Sequence, residues 1–259
     1  MFAAAESDTA RWRLAGDIAN AYSLINSDSA LAWSEEQFAL ANRLQDAPKI
    51  GESFFNIGVA HFDKNNFPAA LSAYLEAKAI FEQNEDRSRT MDTQLEIGRV
   101  YLEMKDFDQA RQYFDEAYQY YQTQADGTNI IFALAQYVIL YEQQNQPDSM
   151  LIYARATLEA ARRYGITKNL GKIHNNLAAT YLYTNQFEQA KHHFKKAEKI
   201  GFKNDQVGRY FNRYAQAHLY FSTGQLDSCL YFARQALQQA REYVDSDKEA
   251  DVTRLICDT

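Results

Sequence analysis

The sequence predicts an all-α chain of stacked helical hairpins, on three observations. Turn formers are scarce, with Gly 10 and Pro 3 in 259 residues, so helices must be long and connections short. No stretch alternates Val, Ile and Thr with polar residues as a strand would. A pattern of glycine, aromatic and alanine recurs in register along the chain.

The pair Ile57-Gly58 has counterparts at Ile97-Gly98, Tyr137-Val138, Leu177-Ala178 and Gln216-Ala217, at steps of 40, 40, 40 and 39 residues. Three residues after each pair stand His61, Tyr101, Tyr141, Tyr181 and Tyr220, and a polar turn follows. A second apolar series then begins at Ala70, Ala110, Met150, Ala190 and Cys229. It continues four residues on with Tyr74, Phe114, Ala154, Phe194 and Ala233, and three beyond those with Ala77, Ala117, Thr157, Ala197 and Ala236. Spacings of three and four mark one face of a helix, so each unit reads as two antiparallel helices joined by a tight turn. Small residues let the two backbones approach, the aromatics fill the space between hairpins, and stacking covers the apolar face that one hairpin leaves open.

In chain order the units fall at about 8–45, 46–85, 86–126, 127–165, 166–204 and 205–244. The first is degenerate: Ala30 holds the second-helix alanine place, with Trp33, Phe38 and Ala41 following. The fourth has Val138 for the glycine and Pro147 in its turn, which predicts less regular packing. A C-terminal helix over 246–259 presents Val252, Leu255 and Ile256, with Asp245 or Ser246 as its cap. It is either a solvating cap or the first half of a seventh repeat, and its apolar end offers a place for self-association. Turns interrupt every apolar stripe too early for a coiled coil.

These residues resemble the tetratricopeptide repeat (TPR) family, whose pattern runs L-G-x-x-Y, then A-x-x-x-F, then a further small residue. The resemblance covers about 28 to 240 and implies one right-handed α-α superhelix, a solenoid of about six TPR hairpins, over 1–259. Units of 40 residues exceed the commonest length of about 34, as in the long-unit TPRs of kinesin light chains, peptide-pheromone receptors and bacterial histidine-kinase sensor regions.

Composition excludes several functions. The net charge of -7 gives none of the basic footprint that phosphate neutralisation needs, so no nucleic-acid partner is expected. Apolar runs are too short to insert in a membrane, and residues 1 to 20 lack the basic start and apolar segment of a signal peptide. The expected compartment is therefore the cytoplasm, or the periplasm if an upstream export signal is missing. Cys229 and Cys257 have no partner motif and read as small, mostly buried thiols.

No catalytic motif is present. "GITKNLGKI", Gly165 to Ile173, has five residues between its glycines and no Ser or Thr after Lys172, so it reads as an inter-repeat turn and not a phosphate loop. His61 and His174 fall on packed faces; His192 and His193, adjacent on a helix, diverge too far to chelate one metal. Glu188 with His192 at i, i+4 lacks a third ligand. Glu103, Glu142, Lys172 and His218 are titratable, but such groups serve binding as readily as chemistry. No catalytic residue, cofactor or metal is expected.

Rotating from the packed side, residues of the first helices line an opposite face: Phe55, Asn56, Val59 and Phe62; Leu95, Glu96, Arg99 and Leu102; Phe132, Gln136 and Ile139; Lys172, Asn175, Asn176 and Tyr183; Phe211, Tyr214, His218 and Phe221. Apolar surface of this extent marks an interaction site. The resemblance implies that this face lines the groove where partner peptides lie, with Asn56, Gln136 and Asn176 placed like the asparagines that hold a peptide backbone. The binding residues expected are Phe55, Asn56, Val59, Phe62, Arg99, Gln136, Ile139, Asn175, Asn176, Tyr183, Tyr214 and His218. The family's clamp for acidic C-termini is absent, because its places hold Phe55 and Val59, Leu95 and Arg99, Ala135 and Ile139.

The sequence thus points to a non-catalytic scaffold that binds a protein or peptide segment. The alternative is a sensory or regulatory module of a bacterial signalling protein, since the helix starts at Asp28, Asp148 and Asp227 resemble TPR regions joined to a histidine kinase or DNA-binding regulator.

Overall fold

The computed structural model describes residues 7–23, 25–202, 205–243 and 246–257. Among these are thirteen α-helices and no strand. They group into two compact units, Met1–Gln124 and Ala125–Thr259. The first contains α1 (Asp8–Ser23), α2 (Ser27–Leu44), α3 (Ala47–Asp63), α4 (Phe67–Gln83), α5 (Arg87–Glu103) and α6 (Phe107–Thr123). The second contains α7 (Gly127–Gln143), α8 (Pro147–Arg163), α9 (Leu170–Tyr183), α10 (Phe187–Ile200), α11 (Gln206–Ser222), α12 (Leu226–Tyr243) and α13 (Ser246–Cys257). Within each unit consecutive helices pair as antiparallel hairpins and each hairpin packs on the next, the all-α solenoid architecture of the repeat. The cap expected at Asp245 and the thiol of Cys257 lie outside the described residues, while Cys229 is free and buried.

The connections keep a shorter clock than the 40-residue repeat. Gln45, Asn65, Glu85, Lys105, Ala125, Asn145, Gly165 and Asn185 all have φ between 52° and 64°, one every twenty residues. A left-handed residue satisfies the last helical carbonyls and turns the chain. The next residue then caps the following helix: Asp46, Asn66, Asp86, Asp106 and Asp126 accept an amide N–H at 3.1–3.4 Å. Turns within hairpins and turns between them therefore have the same build.

The helices meet where the sequence puts its small residues. A Cβ added at Gly58 would come within 2.6 Å of the Tyr74 ring, and one at Gly98 within 2.6 Å of the Phe114 ring. Tyr74, Phe114, Ala70, Ala77, Ala110 and Ala117 are fully buried. The fourth hairpin is more regular than its sequence predicts. Pro147 opens α8 where its missing N–H costs nothing, and α7 and α8 keep the common 17-residue length. Tyr153 stacks on Tyr137 at 4.6 Å and on Tyr141 at 5.2 Å, filling the room left where Ala154 replaces the usual aromatic. The phosphate-loop look-alike is a connection: Gly165 to Asn169 join α8 to α9, and Gly171 packs inside α9 against the Gly201 carbonyl.

Candidate functional site

In the second unit, α9 and α11 are the first helices of adjacent hairpins, and a cleft of about 440 Å³ opens between them. Its wall is apolar, from Ala179, Phe202, Val207, Phe211, Tyr214 and Ala215, and Lys172, Asn175 and Asn176 supply its polar groups. Phe211 is 44% exposed and Asn176 is also exposed. Below them runs a chain of buried amides: Gln216 Nε2 donates to Asn212 Oδ1 at 2.7 Å, and Asn212 Nδ2 donates to Asn175 Oδ1 at 2.9 Å. The bond to Asn212 fixes which way the Asn175 amide faces, and thus how it meets the cleft.

The rim is charged and aromatic. Lys172 Nζ lies 3.1 Å from Asp205 Oδ2, and Asp205 also caps α11 by accepting the Gly208 N–H at 2.9 Å. A Cβ at Gly208 would come within 2.1 Å of the Asp205 carboxylate and 2.9 Å of the Phe202 ring, so these side chains would have to shift. Tyr214 stacks on Tyr210 at 5.8 Å and meets the His218 ring edge-on at 4.5 Å. Burial pushes the Tyr214 phenol above, and the His218 imidazole below, their ordinary pKa, leaving both neutral near pH 7.

Of the residues expected to bind, Asn175, Asn176 and Tyr214 come together here with His218 beside them. Tyr183 and Ile139 are exposed, and the Tyr183 hydroxyl donates to Asn145 Oδ1 at 2.9 Å. Gln136 is buried, its amide turned back to the Phe132 carbonyl at 3.4 Å. In the first unit Phe55, Val59 and Phe62 are half-buried against Ala70, Tyr74, Ile97 and Val100. Asn56 is buried and donates to Gln37 Oε1 at 2.8 Å. Arg99 pairs with Glu96 at 2.5 Å and lies 4.6 Å from the Phe62 ring centroid. Leu95 and Leu102, which rotation placed on the open face, are buried, so at these positions that face is core.

Sequence reasoning passed over Phe202, Val207 and Asn212. Phe202 stands in the connection before α11, outside the hairpin register, and Asn212 holds a place occupied by Ile173 one repeat earlier. It also missed a pair: His174 Nδ1 and His193 Nδ1 are 2.9 Å apart, so one donates to the other. Burial first holds both imidazoles down at about 4, helped at His174 by Lys196, Arg162 and His192 and at His193 by His174, His192, Lys196 and Arg162. Among the described residues no three His, Cys, Asp or Glu side chains converge as a metal would require.

Comparison with known proteins agrees with the hairpins. The tetratricopeptide repeat model matches residues 92–124 and 171–201, one stretch in each unit. No curated protein matches the chain by sequence. Among solved structures, BtubC (BKLC) from P. vanneervenii superposes with a TM-score of 0.68 at 15% identity, over 83% of this chain and 91% of that one. The Rap conjugation gene regulator of plasmid pLS20, solved in complex with the Phr* peptide, gives 0.68 at 17% identity, over 93% and 79%. The apo quorum sensor NprR from B. thuringiensis gives 0.70 at 12% identity, over 98% and 71%. These likenesses describe the fold. The tetratricopeptide-repeat match is direct over one stretch in each unit, and the same helix hairpin recurs through the other described residues.

Proposed function

We propose that the protein is a non-catalytic interaction scaffold that holds a peptide segment of a partner across the first helices, with the α9–α11 cleft as a principal contact. The observation that carries this reading is the pairing, in one cleft, of an apolar wall including exposed Phe211 with the amides of Asn175 and Asn176. An extended peptide has side chains to bury and backbone donors and acceptors to satisfy; amide side chains offer both. The Rap regulator of similar fold was solved with a peptide bound, which supports the reading by analogy.

A second reading, a regulatory module of a signalling protein, is favoured by the likeness in fold to a quorum sensor and a gene regulator. The two are compatible, since a peptide seat is what such a module would use to sense.

The test is selection of binders from a displayed library of random heptapeptides, followed by titration of a selected peptide. Phe211→Ala combined with Asn176→Ala alters two exposed side chains, so the melting temperature should hold while affinity falls at least about tenfold. Unchanged affinity in the double variant, or a library that yields no binder, would overturn the proposal.

A further inference from the structure

We propose that the outward face of α12 is a self-association surface, on which two copies of the chain pack antiparallel about a two-fold axis. The inference goes beyond peptide binding and uses none of the residues that line the α9–α11 cleft.

The face is the reverse of a core stripe. Cys229, Ala233, Ala236 and Ala240 of α12 are buried together with Tyr210 and Ala217 of α11 and Val252 and Leu255 of α13. The apolar residues of α13 are thus already covered within the chain. Two residues before each member of the stripe stand Asp227, Tyr231, Arg234 and Gln238, about 200° round the helix. All four are exposed, Tyr231 at 61%. An open recess of about 490 Å³ runs along them, with Leu230 and Gln235 completing its lining, so every residue around it belongs to α12.

The solvated back of a helix is normally polar. The equivalent places hold Asp108, Gln112, Asp115 and Gln119 on α6, and Glu188, His192, Lys195 and Lys199 on α10. On α12 an aromatic ring takes the middle of the face. On α8 the places hold Asp148, Ile152 and Arg155, but that arginine is engaged, its Nε donating to the Tyr181 hydroxyl at 3.0 Å. Asp227 and Arg234 lie two turns apart, about 10 Å along the axis. Neither side chain makes a hydrogen bond or ion pair among the described residues.

The order of these residues identifies the occupant. Asp227 stands three residues before Leu230, and Arg234 three residues after Tyr231. An antiparallel second copy therefore sets Asp227 against the partner's Arg234, Arg234 against the partner's Asp227, and Leu230 against the partner's Tyr231. An apolar centre then lies between two ion pairs, the arrangement of core and rim that interfaces favour. Opposite charges balance on the face, so its complement is itself; a partner of one sign would satisfy one end and be repelled at the other. One helix face buries no more than about 1,000 Å², the lower limit for a stable complex, so the dimer is weak.

The test is sedimentation equilibrium of the full chain at low salt from about 10 μM to about 1 mM, where a dimer with Kd of about 100 μM should form and weaken as salt rises. Asp227→Arg and Arg234→Asp, made singly, each set like charges together at both ends and should weaken the dimer at least about tenfold. Mixed in equal amounts, these two variants should pair with each other about as tightly as wild type, because opposite charges meet again at both ends. Tyr231→Ser should weaken the dimer at least about fivefold. Ile152→Ser, and Phe211→Ala combined with Asn176→Ala, should leave it intact. All these side chains are exposed, so the melting temperatures should hold. A chain that stays monomeric at the highest concentration, a dimer that Arg234→Asp leaves unchanged, or two single variants that do not pair would overturn the surface. Loss of the dimer in Ile152→Ser would place the contact on α8 and overturn it as well.

Discussion

Asn56 donates its side-chain amide to Gln37 Oε1 across 2.8 Å, joining α3 of the second hairpin to α2 of the first. Both side chains are buried, and Gln37 leans so closely on α1 that a Cβ at Gly16 would come within 2.4 Å of its amide. A residue that sequence position marks as a peptide contact is here bound to the neighbouring hairpin.

Asn56→Ala should therefore act on stability as well as on binding. It leaves Gln37 Oε1 buried without a donor, a loss of about 1–3 kcal/mol. Asn56→Ala with Gln37→Leu, which removes both polar groups, should recover part of that loss. Urea unfolding of the single and double variants measures the coupling. Equal stability of wild type and Asn56→Ala would show that the bond contributes nothing.

Gly58→Ala sets two effects against each other. Alanine is the better helix former by about 0.8–1 kcal/mol, but its Cβ would lie 2.6 Å from the fully buried Tyr74 ring. Overpacking of this kind costs about 1–3 kcal/mol, so net destabilisation should be seen, and likewise for Gly98→Ala against Phe114. Gly58→Ala with Tyr74→Leu should be less destabilised than the sum of the singles. A thermal melt that rises for Gly58→Ala alone would show that the ring moves aside freely.

What the sequence revealed, and what it did not, divides along the same line. Gly58, Ala70, Tyr74 and Ala77 recur because one hairpin's own geometry requires them, and an internal repeat displays that requirement several times over. The fate of Asn56 depends on Gln37 in a different hairpin, and His174 meets His193 across two helices, neither of which a helical wheel can show. The cleft was half legible: Asn175, Asn176 and Tyr214 follow from rotation about a helix, whereas Phe202 lies in a connection where no period applies. Leu95 and Leu102 show the reverse case, since rotation finds the face of a helix but not how deeply the next hairpin covers it.

The His174–His193 bond should make stability depend on pH. Both imidazoles titrate at about 4 in the folded chain against 6.5 unfolded, so the unfolded state binds more protons between these values. Stability is then full above about pH 6.5 and falls as pH drops toward about 4. Measured by urea unfolding across that range, His193→Phe should start less stable at neutral pH, because His174 Nδ1 loses its partner, and should show a shallower decline. A slope unchanged in His193→Phe would place the acid sensitivity elsewhere.

The twenty-residue clock of the turns runs imperfectly at several places, Ala125 and Gln146 among them. Ala125 holds φ 52° with a side chain that disfavours it, and Gln146 precedes α8 without making the side-chain cap bond that Asp86, Asp106 and Asp126 make. Left-handed backbone costs a residue with a Cβ roughly 1–2 kcal/mol, of which glycine returns about 0.4–1 through the greater freedom of its unfolded chain. Ala125→Gly should thus gain about 0.5–1 kcal/mol. Gln146→Asp should gain about 0.5–1 kcal/mol by accepting the Ser149 N–H, as Asp126 accepts that of Asn129 at 3.1 Å. The two sites act on different helix ends, so their effects should add, and thermal melts of the singles and the double decide it. Asp106→Ala is the control in the opposite sense, losing about 1 kcal/mol by removal of a cap that exists. If Ala125→Gly destabilises instead, the left-handed turn is held by contacts of the Ala125 methyl and not tolerated in spite of it.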